Sequence, residues 1–190
     1  MRIELTFMSG SAVDRMFGAG PPGNNAIYLM ANYDGASTLG IRYFGIATNI
    51  PYTINTKCHI IITNSELIKD GVQQITLNKT GSTVNTLTLF KYNPSPISTN
   101  TKIYEYKVYD GPTLIQHFVP CEYNGQYGMW DLVENKFYGN KGTGTFKVGP
   151  EVPNYDEVEY IKRPNHLLPN GVELYDYLQF NLTPDTFIET

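Results

Sequence analysis

Along most of the chain, apolar residues recur at every second position in short runs broken by Gly, Asn, Asp and Pro. Ile3, Leu5 and Phe7 alternate with Glu4 and Thr6, and Tyr104, Tyr106 and Val108 alternate with Glu105, Lys107 and Tyr109. A period of two places successive side chains on opposite faces of a strand, so each run predicts a sheet with one buried face and one wet face. Further strands are predicted over Ala26–Ala31, Leu39–Ala47, Cys58–Ile62, Leu87–Phe90, Leu114–Val119, Met129–Val133 and Lys136–Tyr138. Asp70-Gly71 predicts a tight hairpin turn that pairs Leu67–Lys69 with the run at Ile75–Leu77, and Asp110-Gly111-Pro112 closes the strand before it.

No helix is predicted. Gly or Pro interrupts most windows of helical length, and β-branched and aromatic residues are enriched throughout. Eleven or so short strands argue for an all-β, two-sheet antiparallel sandwich of jelly-roll type over residues 1–150. Tyr33-Asp34-Gly35, Asn49–Tyr52, Lys79–Ser82 and Tyr92–Pro96 are expected as loops, and Gly18–Gly23 as a turn segment. That glycine-rich piece lacks the Lys-Ser/Thr of a phosphate loop.

After Pro150 the texture changes. Pro153, Pro164, Pro169 and Pro184 punctuate residues 151–190, yet Val158–Ile161 and Leu174–Phe180 retain strand character. This stretch is expected to be a strand-forming extension that adds to a sheet edge.

Composition narrows the function classes. At 190 residues the chain is long enough to bury a core without cross-links. The net charge of −4 and the lack of any basic run longer than Lys162-Arg163 disfavour nucleic acid, which needs a basic stripe. No apolar run is long enough to span a bilayer as a helix, and Met1 leads directly into a strand, so no signal peptide is expected. Cys58 and Cys121 are the only cysteines, and two separate buried thiols are favoured over a bridge. His59, His117 and His166 lie in unlike contexts without zinc-site spacing, so structural roles are expected. Asn78-Lys79-Thr80 and Asn181-Leu182-Thr183 match the glycosylation acceptor, which carries weight only on a secretory route.

Four strings together resemble one family: Lys102–Gly111 (KIYEYKVYDG), Leu114–Cys121 (LIQHFVPC), Gly128–Tyr138 (GMWDLVENKFY) and Gly142–Phe146 (GTGTF). In this order they are similar to the closing strands of the concanavalin A-like, laminin-G-type modules of bacteriophage structural and receptor-binding proteins and of gut bacterial surface proteins. The likeness spans 101–149 and, more weakly, Leu67–Gln73 and Thr86–Tyr92. It implies the jelly-roll sandwich and structural roles for Tyr104, Tyr106, Phe118, Trp130, Asp131, Phe137 and Phe146. Residues 158–189 resemble the opening element of such modules. Three readings of the tail follow: it folds back beside residues 1–7, it completes a neighbouring copy, or it begins a further module or is loosely ordered.

The resemblance implies a non-enzymatic bacteriophage virion component (a decoration, fibre or tail-associated part) whose partners are other virion proteins or copies of itself, with host glycan contact as a further role. A bacterial surface carbohydrate-binding module is the alternative, and a glycoside hydrolase of this fold the third. The hydrolase needs two carboxylates across one sheet face, and the nearest approach, Asp156-Glu157-Val158-Glu159, lies in the extension. No catalytic residue is assigned. Asp131 is read as a backbone acceptor in its turn, and Trp130 as packing rather than sugar stacking. This class sometimes binds calcium at a rim through carboxylates, but Asp34, Asp70 and Asp110 each precede glycine in a turn, where aspartate is expected anyway; no metal or other cofactor is assigned. Sugar recognition wants an aromatic plane with short polar groups beside it. Tyr33-Asp34, Tyr52-Thr53, Tyr92-Asn93 and Tyr123-Asn124 offer that pairing on loops.

Overall fold

A computed structural model of the protein describes residues 1–10, 14–19, 26–31, 37–81, 86–90, 100–149 and 188–189. Within them the chain is all-β, and no helix occurs among the described residues. Two antiparallel sheets pack face to face. The larger takes the order β13 (Lys136–Gly139), β12 (Gln126–Asp131), β11 (Thr113–Tyr123), β10 (Thr101–Asp110), β1 (Arg2–Ser9), β6 (Cys58–Ile62), β7 (Glu66–Lys69) and β8 (Val72–Thr76). The two-residue strands β14 (Lys147–Val148) and β15 (Ile188–Glu189) join it beside β10. The smaller sheet runs β5 (Ile46–Pro51), β4 (Thr38–Tyr43), β3 (Ile27–Ala31), β2 (Arg15–Ala19) and β9 (Thr88–Leu89).

The alternation read in β1 decides its faces: Ile3, Leu5 and Phe7 are buried in the core with Ile60, Ile62, Ile103 and Tyr106 from neighbouring strands. The opposing sheet contributes Phe17, Leu29, Leu39, Ile41 and Tyr43. Aromatic rings bridge the layers, Phe7 stacking on Tyr52 at 5.6 Å and Phe17 tilting against Tyr106 at 5.8 Å between centroids. Such pairs add about 0.5–1.5 kcal/mol to the area they bury.

Several expectations are corrected. The run Leu39–Ala47 is not one strand but a hairpin, β4 and β5, turned by Phe44-Gly45 at φ of 43° and 93°. Phenylalanine at positive φ is uncommon, and the sequence carries no Asn-Gly or Asp-Gly signal there. Burial of Phe44, with its ring edge-on to Tyr43 at 4.7 Å, holds the turn instead. Asn49, Ile50 and Pro51, expected in a loop, end β5, and Gly18 and Ala19, expected in a turn, lie in β2. The strict alternation over β10 breaks at a bulge: Thr6 pairs with Glu105 and Phe7 with Ile103, so Tyr104 is the extra residue. Tyr104 therefore does not share the core with Tyr106; it lies half-buried, with Lys57 Nζ 4.3 Å from its ring centre.

The predicted Asp70-Gly71 turn forms, both residues adopting positive φ. Cys58 and Cys121 are both free and buried, on β6 and β11. Of the extension, residues 151–187 lie outside the described residues. Ile188–Glu189 pair not with β1 but with Lys102–Ile103 of β10 on one side and Lys147–Val148 of β14 on the other.

Candidate functional site

Strands β11, β12 and β13 form an arm at one end of the larger sheet. Its tip is an Asn124-Gly125 turn with φ of 51° and 74°, the left-handed pair that a two-residue hairpin requires. Pro120 sits beyond the last pairing of β11 with β10, Tyr106 with Phe118, where a missing N–H breaks no bond to β10.

At the base of the arm, Asp131 is wholly buried and its Oδ1 accepts hydrogen bonds from the backbone N–H of His117 at 3.0 Å and of Val133 at 2.9 Å. The Leu132 N–H donates to the His117 carbonyl at 2.8 Å. Through Oδ1 this carboxylate ties β11 to the turn after β12, a backbone role, while its buried Oδ2 accepts no hydrogen bond among the described residues.

The two faces of the arm carry different groups. Phe118 and Met129 join the main core, and Tyr138 packs against it, its ring edge-on to Phe118 at 5.2 Å. The opposite face holds a separate cluster of Val119, Cys121 and Trp130, with Leu132 and Phe137 packed on it. Cross-strand register explains the grouping: Val119, Trp130 and Phe137 form one row, and Cys121, Gly128 and Gly139 the next. The second row has two positions without side chains, and neighbouring rings fill the space. A Cβ at Gly128 would meet the Phe137 ring at 2.6 Å and the Tyr138 carbonyl oxygen at 2.5 Å. Tyr123 lies with its ring centre 5.2 Å from Trp130 and 5.4 Å from Phe137.

The result is an aromatic platform with an exposed edge. Trp130 is buried beneath it, while Tyr123 is 39 % exposed. Gln126 pairs with Tyr123 across the hairpin, and its Oε1 lies close to Gly139. Tyr127, 40 % exposed, pairs with Glu122 on the opposite face of the hairpin. Beyond β13, Asn140 folds the next loop by accepting from the Gly142 N–H at 2.7 Å and donating to the Gly144 carbonyl. Rings flanked by amides suit the apolar face and the hydroxyls of a sugar.

Toward the sheet centre lies a charged trio. Glu105 Oε1 accepts from Lys107 Nζ at 2.7 Å and lies 2.8 Å from His117 Nε2. Burial pushes the Glu105 carboxyl upward, but the hydrogen bonds and charges of His117 and Lys107 outweigh it and hold the group at about 2. Burial pushes the Cys58 and Cys121 thiols up to about 12, so neither is a ready nucleophile. Among the described residues no three His, Cys, Asp or Glu side chains gather to hold a metal ion. Asp70 Oδ1 accepts the His59 N–H at 2.8 Å, a backbone role that ties its turn to β6.

Of the residues singled out for ligand contact, Tyr123 and Asn124 lie exposed at the arm's tip. Tyr52 departs from the rim position expected of it. It is 2 % exposed, its ring on Phe7 and its hydroxyl accepting the Ser9 N–H at 2.7 Å and donating to the Thr56 carbonyl at 3.0 Å. Ser9 in turn donates its hydroxyl to Asp14 Oδ2 at 2.7 Å, so Tyr52 belongs to a buried polar node that fixes one end of the sandwich. Tyr33, Asp34, Tyr92 and Asn93 lie outside the described residues, as does Asp156–Glu159. Phe146, expected as structural, tilts against Phe90 at 5.4 Å. Gln126 and Phe137 lie on the Tyr123 face of the arm, and the sequence pattern singles out neither for ligand contact. The signal was the spacing of Val119, Cys121 and Tyr123 against Gln126, Gly128 and Trp130, which lays one face across the hairpin.

Against family models, curated proteins and solved structures, the chain finds no match.

Proposed function

We propose that this protein is a non-enzymatic structural module of a bacteriophage virion, a decoration, fibre or tail-associated part, whose arm tip contacts glycans of the host surface. The virion assignment rests on the resemblance carried by residues 101–149. The glycan contact rests on one observation: Tyr123, exposed and braced against Trp130 and Phe137, stands beside Gln126 and Asn124. A braced ring loses little freedom on binding, which favours a weak, repeated contact of the kind that multivalent display amplifies. Its partners on this reading are other virion proteins or copies of itself.

A glycan array probed with the full chain at high concentration, presented multivalently, tests the contact. Retention of a saccharide class is expected, falling at least tenfold for Tyr123→Ala with the melting temperature little changed. No retained saccharide, or equal retention by the variant, removes the arm tip as a glycan site.

A further inference from the structure

The larger sheet forks. Strand β1 accompanies β10 along its whole length, from Arg2 opposite Tyr109 to Ser9 opposite Thr101. On the other side β11 pairs with β10 only from Tyr106 to Asp110 and then continues with β12 alone. The first half of β10 would thus present an open edge next to Thr101 and Ile103, both wholly buried. Residues 188–189 fill that fork: Glu189 pairs with Lys102 and with Lys147, and Ile188 with Ile103 and with Val148.

Three features make this closure exchangeable. The inserted strand is two residues long, and so is its outer neighbour β14, so few ladder bonds hold it. The recognition is by backbone pairing, which an identical segment of another chain supplies equally well. Residues 149–187 separate the two partners in sequence, a length that extended reaches about 130 Å and therefore does not compel pairing within one chain. The effective concentration of a tethered segment falls steeply with tether length, so densely packed copies compete with it.

We propose that the β10–β14 fork is a strand-exchange slot, filled by Ile188–Glu189 of a second copy when chains are concentrated, which links copies in an assembly. The slot is on the opposite edge of β10 from β1 and uses no residue of the arm tip, so it stands or falls independently of glycan contact.

Facing residues of an antiparallel pair lie about 4.5–5.5 Å apart at Cα, within disulfide range. Full-length Lys102→Cys and Glu189→Cys chains are therefore mixed, refolded together at high concentration and oxidised with glutathione disulfide; a double variant carrying both changes is the reference. Exchange predicts a disulfide-linked dimer of the two single variants, increasing with concentration and suppressed severalfold by excess peptide of residues 185–190. If the double variant closes on itself while the mixture gives no cross-linked dimer, the slot is filled only within one chain and the proposal fails. If neither sample cross-links, residues 188–189 do not occupy the fork and it fails as well.

Discussion

The centre of the larger sheet and its arm are built from the same alternating pattern but use their outer faces differently. Around β1, β6 and β10 the core face is apolar and the other is mostly polar, carrying Glu4, Thr6, His59, Glu105 and Lys107 beside Ile61. In the arm both faces are apolar, one continuous with the main core and the other a small cluster around Trp130. On the arm's outer face Trp130 is buried and Phe137 half-buried, and only Tyr123 of the three is exposed. On the proposed reading the arm is the binding surface, while the centre supplies stability.

The comparison breaks most decisively at Phe7. Phe7→Ala removes a wholly buried ring stacked on Tyr52 and is expected to cost about 3–5 kcal/mol, read from denaturant unfolding. A loss no larger than that from an arm substitution would erase the distinction between the regions. In the arm, Gly128→Ala forces a Cβ against the Phe137 ring and the Tyr138 carbonyl, with an expected loss of about 1–3 kcal/mol and altered Trp130 fluorescence. An unchanged midpoint and spectrum would mean that Phe137 does not lie over Gly128.

The smallest effect sharpens the polar side of the centre. Because the folded-state carboxyl of Glu105 is held at about 2, below its usual value of 4.5, its contribution is complete above the usual value and is lost as pH falls toward 2. With the side chain 35 % exposed, solvent screening limits that contribution to about 1 kcal/mol or less. Glu105→Gln is expected to flatten this part of the acid limb in unfolding measured between pH 5 and pH 2, with little change at neutral pH beyond that small loss. An acid limb identical to that of the parent chain would show that the pair with His117 and Lys107 contributes nothing.

Much of the fold is legible in the sequence because strands with one wet face write their burial as a period of two. Ile3, Leu5 and Phe7 show this, and Asp70-Gly71 marks its turn by backbone chemistry alone. Legibility fails where a contact from elsewhere outweighs local preference. Phe44 turns at positive φ because its ring is buried, not because the residue favours it. Tyr104 shifts off the core because a bulge inserts one residue opposite β1, a choice set by pairing. Tyr52 looked like a rim tyrosine because Pro51 and Thr53 flank it, yet the hydroxyl satisfies Ser9 and Thr56 in the interior.

The candidate site divides in the same way. Tyr123-Asn124 is expected on a loop, and it lies at a hairpin tip turned by Asn124-Gly125 with both residues at positive φ. That its ring is braced by Trp130 and Phe137 depends on register, which brings residues distant in sequence into one row. By itself, then, the sequence determined an all-β sandwich, its inward faces and the tightest turns, all consequences of local backbone preference and two-residue periodicity. Tertiary structure alone decided which strands are neighbours, where β10 and β11 part and which aromatic rings meet. Those outcomes depend on pairing between segments far apart along the chain, and no local pattern encodes the partner.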